Sequence, residues 1–142
     1  MKVLILCTGN SCRSQMAQGW LQSFDETLEV RSAGTEPAGE VNPKAGEIMA
    51  EAGIDISTHY PKSVDLYLKD KWDWVITVCN EACASCPYFS GEVKHRVHIG
   101  FDDPSRAEGS DEHIRSEFIR VRDEIKSAFK NFYQTNIKNK QS

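Results

Sequence analysis

Apolar residues recur along the chain with two alternating periods. Residues 2–7, KVLILC, form a β-rich apolar run that stops at the polar, glycine-containing stretch Thr8-Gly9-Asn10-Ser11. Met16, Trp20 and Phe24 then recur every four residues with Ala17 and Leu21 beside them, the spacing of a helix face. Residues 28–32, LEVRS, alternate again and end at Ala33-Gly34. A second helix is predicted from Lys44 to Ala52, with Ala45, Ile48, Met49 and Ala52 inward. Pro43 suits its first turn and Gly53 its C-terminal cap. Val64, Leu66 and Leu68 alternate as in a strand, over a length that equally suits a helical turn. WVITVC at 74–79 and RVHIGF at 96–101 read as two further strands. The last helix has the strongest pattern, with Ser110 as N-cap, Asp111 and Glu112 in the first turn, and a stripe of Ile114, Phe118, Val121, Ile125 and Phe129. Beyond Tyr133 the chain turns polar, and residues 134–142 are expected to fray.

Strands alternating with helices predict an α/β fold: a four-stranded, mainly parallel sheet flanked by helices in three layers. Ligands of such sheets bind beyond the carboxyl ends of the strands. Cys7 and Cys79 both fall at that edge. The 142 residues, 39% of them hydrophobic, suit one domain spanning 1–142, without repeats or linker.

With 21 Asp and Glu against 17 Lys and Arg, and the basic residues scattered, nothing supports binding to nucleic acid or a membrane. The N-terminal apolar run is shorter than the roughly 7–15 residues of a secretory h-region, so the expected location is the cytoplasm. There the five cysteines are expected to be mostly reduced, serving catalysis, redox exchange or metal binding rather than a disulfide framework.

The segment Cys7-Thr8-Gly9-Asn10-Ser11-Cys12-Arg13-Ser14 sets a cysteine six positions before an arginine, between a strand and a helix N-terminus. A loop of this length turns its backbone N–H groups inward as a concave nest, and with the helix dipole it favours a tetrahedral anion. The same field lowers the pKa of a thiol at its centre, so Cys7 is expected to be largely thiolate near neutral pH. Arg13 adds a planar fork for two oxygens of the anion, and Ser14 a hydrogen bond to the Cys7 sulfur. Cys12 reads as a small buried helix residue, close enough to Cys7 for a protective disulfide. Displacement at phosphorus or arsenic expels an oxygen that needs a proton. Asp102-Asp103-Pro104 follows the last strand to the same edge, where Pro104 restricts Asp103 to extended conformations.

Cys79, Cys83 and Cys86, in CNEACASCP, are spaced by three residues and then two. Radical enzymes that hold an iron–sulfur cluster with S-adenosylmethionine use this spacing, but generally on a far larger barrel. A zinc site with His95 or His98 lacks the histidine spacing of a finger. A redox reading accounts for more, and no metal is expected. An adduct of Cys7 with an oxidising oxyanion is reduced by a second thiol that approaches it, and a third thiol on a mobile segment carries the disulfide outward. Cys79, at a strand end, suits the second role, and Cys86, before Pro87, the third.

Together these residues resemble the thioredoxin-coupled arsenate reductases, which share the fold and anion loop of the low-molecular-weight protein tyrosine phosphatases. The resemblance is carried by CTGNSCRSQMA at 7–17, RSAGTE at 31–36, GIDIS at 53–57, Cys79 and Cys86 with six residues between them, GFDDP at 100–104 and RVRDEI at 120–125. Reductases and phosphatases both carry the loop; the pair Cys79 and Cys86 separates them. The resemblance implies that Cys7 attacks arsenate while Asp103, rather than Asp102, protonates the departing oxygen and Arg13 steadies the developing charge. Thr8, Gly9, Asn10, Ser11, Cys12, Arg13 and Ser14 would cradle the substrate, with Asn10 ordering the nest. It further implies a Cys7–Cys79 disulfide on release of arsenite, then a Cys79–Cys86 disulfide presented to thioredoxin, the electron donor. A monomer is expected, with arsenate and thioredoxin as its partners. Gln18 departs from the pattern of members that use a glutamate there for a bound potassium ion, and Cys83 is not part of the family scheme; no other cofactor is implied. The alternative is a phosphatase acting on phosphotyrosine or a small phosphate ester through Cys7, Arg13 and Asp103, which would need no second thiol.

Overall fold

The computed structural model describes residues 1–79 and 89–138. In chain order it contains β1 (Lys2–Cys7), α1 (Arg13–Phe24), β2 (Glu29–Gly34), α2 (Pro43–Glu51), β3 (Trp72–Cys79), β4 (Val93–Phe101) and α3 (Asp111–Phe132). The sheet runs β2-β1-β3-β4 and every pairing is parallel. All four carboxyl ends therefore lie at one edge, where β1 ends in Cys7 and its neighbour β3 in Cys79.

β1 reads as an unbroken apolar run because it is buried on both faces. Val3, Ile5 and Cys7 point into the larger core with Met16, Trp20 and Leu21 of α1, Ile48 and Met49 of α2, and Phe118, Val121, Ile125 and Phe129 of α3. Leu4 and Leu6 point into a smaller core with Val64, Trp72, Val75 and Phe89. Each large side chain so buried contributes about 1.5–3 kcal/mol. The two outer layers are unequal: α1, α2 and α3 all pack on the larger core. Among the described residues the other face is covered by a 3-10 turn at Val64–Leu66 and its flanks. That turn decides the ambiguous segment in favour of helical geometry, with Ser63 Oγ accepting from the Asp65 amide as its cap.

Other boundaries move for local reasons. β2 starts one residue late and runs on to Gly34, because pairing with β1 continues as far as Cys7. β4 begins at Val93, ahead of the expected strand, where exposed Lys94 and His95 on an edge strand give no apolar alternation. Past α3 the expected fraying does not begin at residue 134: Tyr133–Lys138 forms a π-helical turn that buries Ile137 in the larger core. Cys83, Cys86 and residues 139–142 lie outside the described residues. Among the described residues no helix is long and apolar enough to cross a membrane.

Candidate active site

The loop between β1 and α1 is shaped from outside. The carbonyls of Cys7, Thr8, Gly9 and Ser11 accept from the amides of Thr35, Glu36, Ala38 and Asn42, at 3.3, 2.9, 2.9 and 2.8 Å. Because a trans peptide sets each C=O opposite the following N–H, the amides of Thr8, Gly9, Asn10 and Cys12 face away from that segment. The concave side they leave is a cavity of about 260 Å³ lined by residues 7–13 together with Asp103 and Arg106. β2 has to pass very close for this to happen. A Cβ on Gly34 would stand 2.4 Å from the Thr8 carbonyl oxygen, so only glycine fits there.

Asn10 takes the left-handed conformation, φ +52°, which asparagine tolerates better than most residues. It is fully buried and ties three elements together. Its Nδ2 donates to Ser14 Oγ (2.8 Å) and Ser32 Oγ (3.0 Å), and its Oδ1 accepts from the Lys62 amide (2.9 Å). The expected ordering role of Asn10 thus has a geometric basis. Ser14, expected against the Cys7 sulfur, is instead the acceptor of this asparagine bond.

α1 begins without a cap of its own. Cys12, at the N-cap position, makes no side-chain cap hydrogen bond, and the first turn holds no acidic residue. The first-turn amides and the positive end of the helix dipole stand beside the cavity, an arrangement suited to an anion. Arg13 is buried beside it, Nη1 donating to the Phe101 carbonyl at 3.1 Å and Nη2 lying 3.5 Å from Asp103 Oδ2. Asp103 arrives from the end of β4 as expected. Its Oδ1 accepts from the Ser105 amide and hydroxyl at 3.0 and 2.6 Å, and its Oδ2 lies 3.7 Å from Arg106 Nε. Asp102 points elsewhere, to Arg120 on α3 at 3.2 Å.

Cys7 and Cys79 end adjacent parallel strands, so their side chains stand at the same edge of the sheet. The Thr8 amide donates to Cys79 Sγ at 2.9 Å, with Thr8 Oγ1 3.5 Å from the same sulfur. The expected Cys7 thiolate has in Cys79 a neighbour that competes for the donors of the loop. The hydrogen bond with Cys79, burial, and the negative charge of that sulfur push the Cys7 thiol well up. Cys79 is held down to about 6 by its bonds from Cys7 and Thr8 and by the Arg13 charge, against the opposing effect of burial. The amide and hydroxyl of Thr8 converge on Cys79. Cys12 is buried as expected, and burial pushes its thiol up to about 12.

Gln18 lies below the loop, its Oε1 accepting from Ser32 Oγ at 2.6 Å and its Nε2 donating to the Val30 carbonyl at 3.3 Å. The two histidines weighed as metal ligands have structural contacts: His95 stacks on Trp74, and His98 Nδ1 lies 2.7 Å from Thr77 Oγ1. Several contributors were missed by reading the sequence. Gln15 Nε2 supports the Asn10 carbonyl at 2.9 Å, the backbone of Lys62 holds Asn10, and Arg106 stands at the mouth of the cavity. Lys62 joins the loop from 52 positions away and carries no local pattern, whereas Arg106, two residues after Pro104, is a signal that proximity to Asp103 offers.

The sequence model of the low molecular weight phosphotyrosine protein phosphatases matches residues 2–142. The arsenate reductase of Halalkalibacterium halodurans is 48% identical over 94% of this chain and 95% of its own length. That of Bacillus subtilis is 46% identical over the same shares. The solved structure of an arsenate reductase in its phosphate-binding state superposes with a TM-score of 0.78 at 30% identity, covering 92% of this chain and 95% of the other. The chain belongs to the low molecular weight phosphotyrosine protein phosphatase family, and stands within it beside the arsenate reductases.

Proposed function

We propose that this protein reduces arsenate to arsenite through the thiols of Cys7, Cys79 and Cys86, and that thioredoxin regenerates it. The observation that carries the reading is the second sulfur: Cys79 ends the strand beside the one that ends in Cys7, and its Sγ accepts from the first amide of the oxyanion loop at 2.9 Å. Hydrolysis of a phosphate ester needs one thiol there, whereas reduction needs two. Relatives nearly half identical to this chain are arsenate reductases.

The Cys7 sulfur displaces an oxygen from arsenate bound by the loop amides and Arg13, and Asp103 supplies the proton with which that oxygen leaves as water. Cys79 then attacks the Cys7 sulfur. The S–As bond breaks with its electron pair going to arsenic, As(V) becomes As(III), and the two cysteines are left oxidised as a disulfide. Cys86 attacks Cys79, Cys7 is freed, and the Cys79–Cys86 disulfide goes to thioredoxin. No resident metal takes part in this scheme. The Gln18 amide is neutral and engaged with Ser32 and Val30, so activity is expected to be the same in sodium as in potassium buffer.

The test is thioredoxin-coupled NADPH consumption on adding arsenate. Wild type should sustain turnover, Cys86→Ser should stop after one equivalent, and Cys7→Ser should do nothing; steady turnover by Cys86→Ser would remove the relay. A second reading, favoured by the family match, is a phosphomonoesterase using Cys7, Arg13 and Asp103. It predicts ester hydrolysis that survives Cys86→Ser unharmed.

A further inference from the structure

After β4 the chain reads Asp103-Pro104-Ser105-Arg106. Pro104 fixes φ at the first position of a turn, and Asp103 caps it, its side chain accepting from the Ser105 amide. The result is a 3-10 turn, Pro104–Arg106, in which the Arg106 amide donates to the Asp103 carbonyl at 3.2 Å and the Ala107 amide to the Pro104 carbonyl at 3.1 Å. Three residues make one such turn, so side chains three apart eclipse. Arg106 therefore stands over Asp103, its Nε 3.7 Å from Oδ2. Pro104 is buried and Asp102 is paired with Arg120 of α3, so the backbone that presents Arg106 is held at two points.

We propose that Arg106 is a second anion-binding guanidinium of the cavity, and that together with Arg13 it makes the site select doubly charged tetrahedral anions over singly charged ones. This rests on the reading of the cavity as an oxyanion site given above. Arg13 is buried, and one arm of its fork is committed, since Nη1 donates to the Phe101 carbonyl at 3.1 Å. Arg106 stands at the rim with a side chain 75% exposed. Both line the cavity, and among the described residues no other cation does. Asp103 Oδ2 lies 3.5 Å from Arg13 Nη2 and 3.7 Å from Arg106 Nε, which puts the two guanidinium groups within reach of one ligand. A tetrahedral anion bridges such a pair with charge-assisted contacts of about 2.7–2.9 Å on either side. The loop amides serve its inner oxygens, and Arg106 its outward one.

Charge balance gives the selectivity. Asp103 and the attacking thiolate oppose an incoming anion, and the helix dipole offers only a partial positive charge against them. A second full charge offsets that opposition, with a pull proportional to the charge of the anion. A guanidinium suits the rim because it is weakly hydrated, exchanges water for anion oxygens at little cost, and keeps its charge at every working pH. A charge-assisted contact at a half-open site is worth about tenfold in affinity for a dianion, which corresponds to about threefold for a monoanion of the same shape.

The test uses sulfate and perchlorate, a tetrahedral dianion and a tetrahedral monoanion whose charges are fixed near neutrality. Their dissociation constants are read from the NMR shifts of the amides of residues 8–14 in reduced, isotope-labelled protein at neutral pH and constant ionic strength. Arg106→Gln should weaken sulfate about tenfold and perchlorate no more than about threefold. Arg106→Lys, which keeps the charge, should bind sulfate more tightly than Arg106→Gln. Lys69→Gln removes the same charge from an exposed residue outside the cavity lining and should change neither constant by more than about twofold. A loss of sulfate affinity below about threefold in Arg106→Gln overturns the proposal, and is what a residue that only braces the turn would give. Equal weakening of the two anions, an equal loss in Lys69→Gln, a lysine variant no better than glutamine, or a wild type that binds no sulfate also overturns it. None of these readings involves turnover. A protein that shows the expected losses yet reduces no arsenate counts against the proposed function alone, whereas one that reduces arsenate with sulfate affinity independent of Arg106 counts only against the second guanidinium.

Discussion

Helices α1 and α3 begin in opposite ways. At α3 the Ser110 hydroxyl accepts from the His113 amide at 3.1 Å, and Asp111 and Glu112 occupy the first turn. The chain itself satisfies the free amides and the positive end of the dipole. At α1 the corresponding residue is Cys12, without a capping bond and without an acid behind it. That helix start is held from a distance instead: by Asn10 on Ser14, Ser32 and Lys62, by Arg13 on the Phe101 carbonyl, and by the close passage of Gly34. A helix terminus reserved for a ligand cannot be closed by its own residues, so long-range contacts must do the holding.

The sharpest way to break the contrast is to remove the cation from the open start. Arg13→Lys keeps a positive charge but loses the planar fork. It is expected to lower kcat/KM for the oxyanion substrate about 100- to 1,000-fold. Steady-state kinetics check this, and a loss below about tenfold would mean that the loop amides hold the anion unaided. Next comes Cys12→Asp, which gives α1 the kind of start that α3 has. Like charges about 5 Å apart repel by about 3 kcal/mol at an effective dielectric of about 20. Affinity for inorganic phosphate or arsenate, measured by calorimetry, should therefore fall about a hundredfold. Cys12→Asn caps without charge and should change it less than about fivefold; equal losses in both variants would point to shape rather than charge.

The distant support is tested by Asn10→Ala. Three hydrogen bonds at about 1 kcal/mol each, with a residue lost that tolerates left-handed backbone, put the expected destabilisation at about 3 kcal/mol in urea unfolding. A value under about 1 kcal/mol would mean that the loop keeps its shape without this side chain.

The same contrast explains what could be read from the chain. Both helix starts were legible, since Ser110 with two acids and Cys7 six positions before Arg13 are local patterns. β1 was legible because burial on both faces leaves an unbroken apolar run. The segment at 64–69 was not, because a single 3-10 turn is too short to express a period. The packing of Ile137 escaped notice because one apolar residue in a polar stretch carries no pattern. In the site, Cys7, Arg13 and Asp103 came together as expected, whereas the supports from Lys62 and Gln15 depend on pairings 52 and 5 positions apart that no motif announces. The competition between the two sulfurs was hidden for a related reason. A loop dipole and an arginine argue for a Cys7 thiolate, but the sulfur of Cys79, 72 positions away, competes for the same donors.

The smallest effect belongs to the closed start. Ser110→Ala deletes the acceptor of the His113 amide and is expected to cost about 1 kcal/mol of stability, read as a lower urea midpoint at unchanged slope. Asp111 and Glu112 remain to face the dipole, which keeps the loss from growing. Oxyanion affinity and kcat should stay at wild-type values, since Ser110 does not line the cavity. A matching fall in activity would show that the start of α3 steers Asp103 and Arg106 through the short link at 107–109, and the two helix starts would then be one mechanical unit instead of two independent solutions.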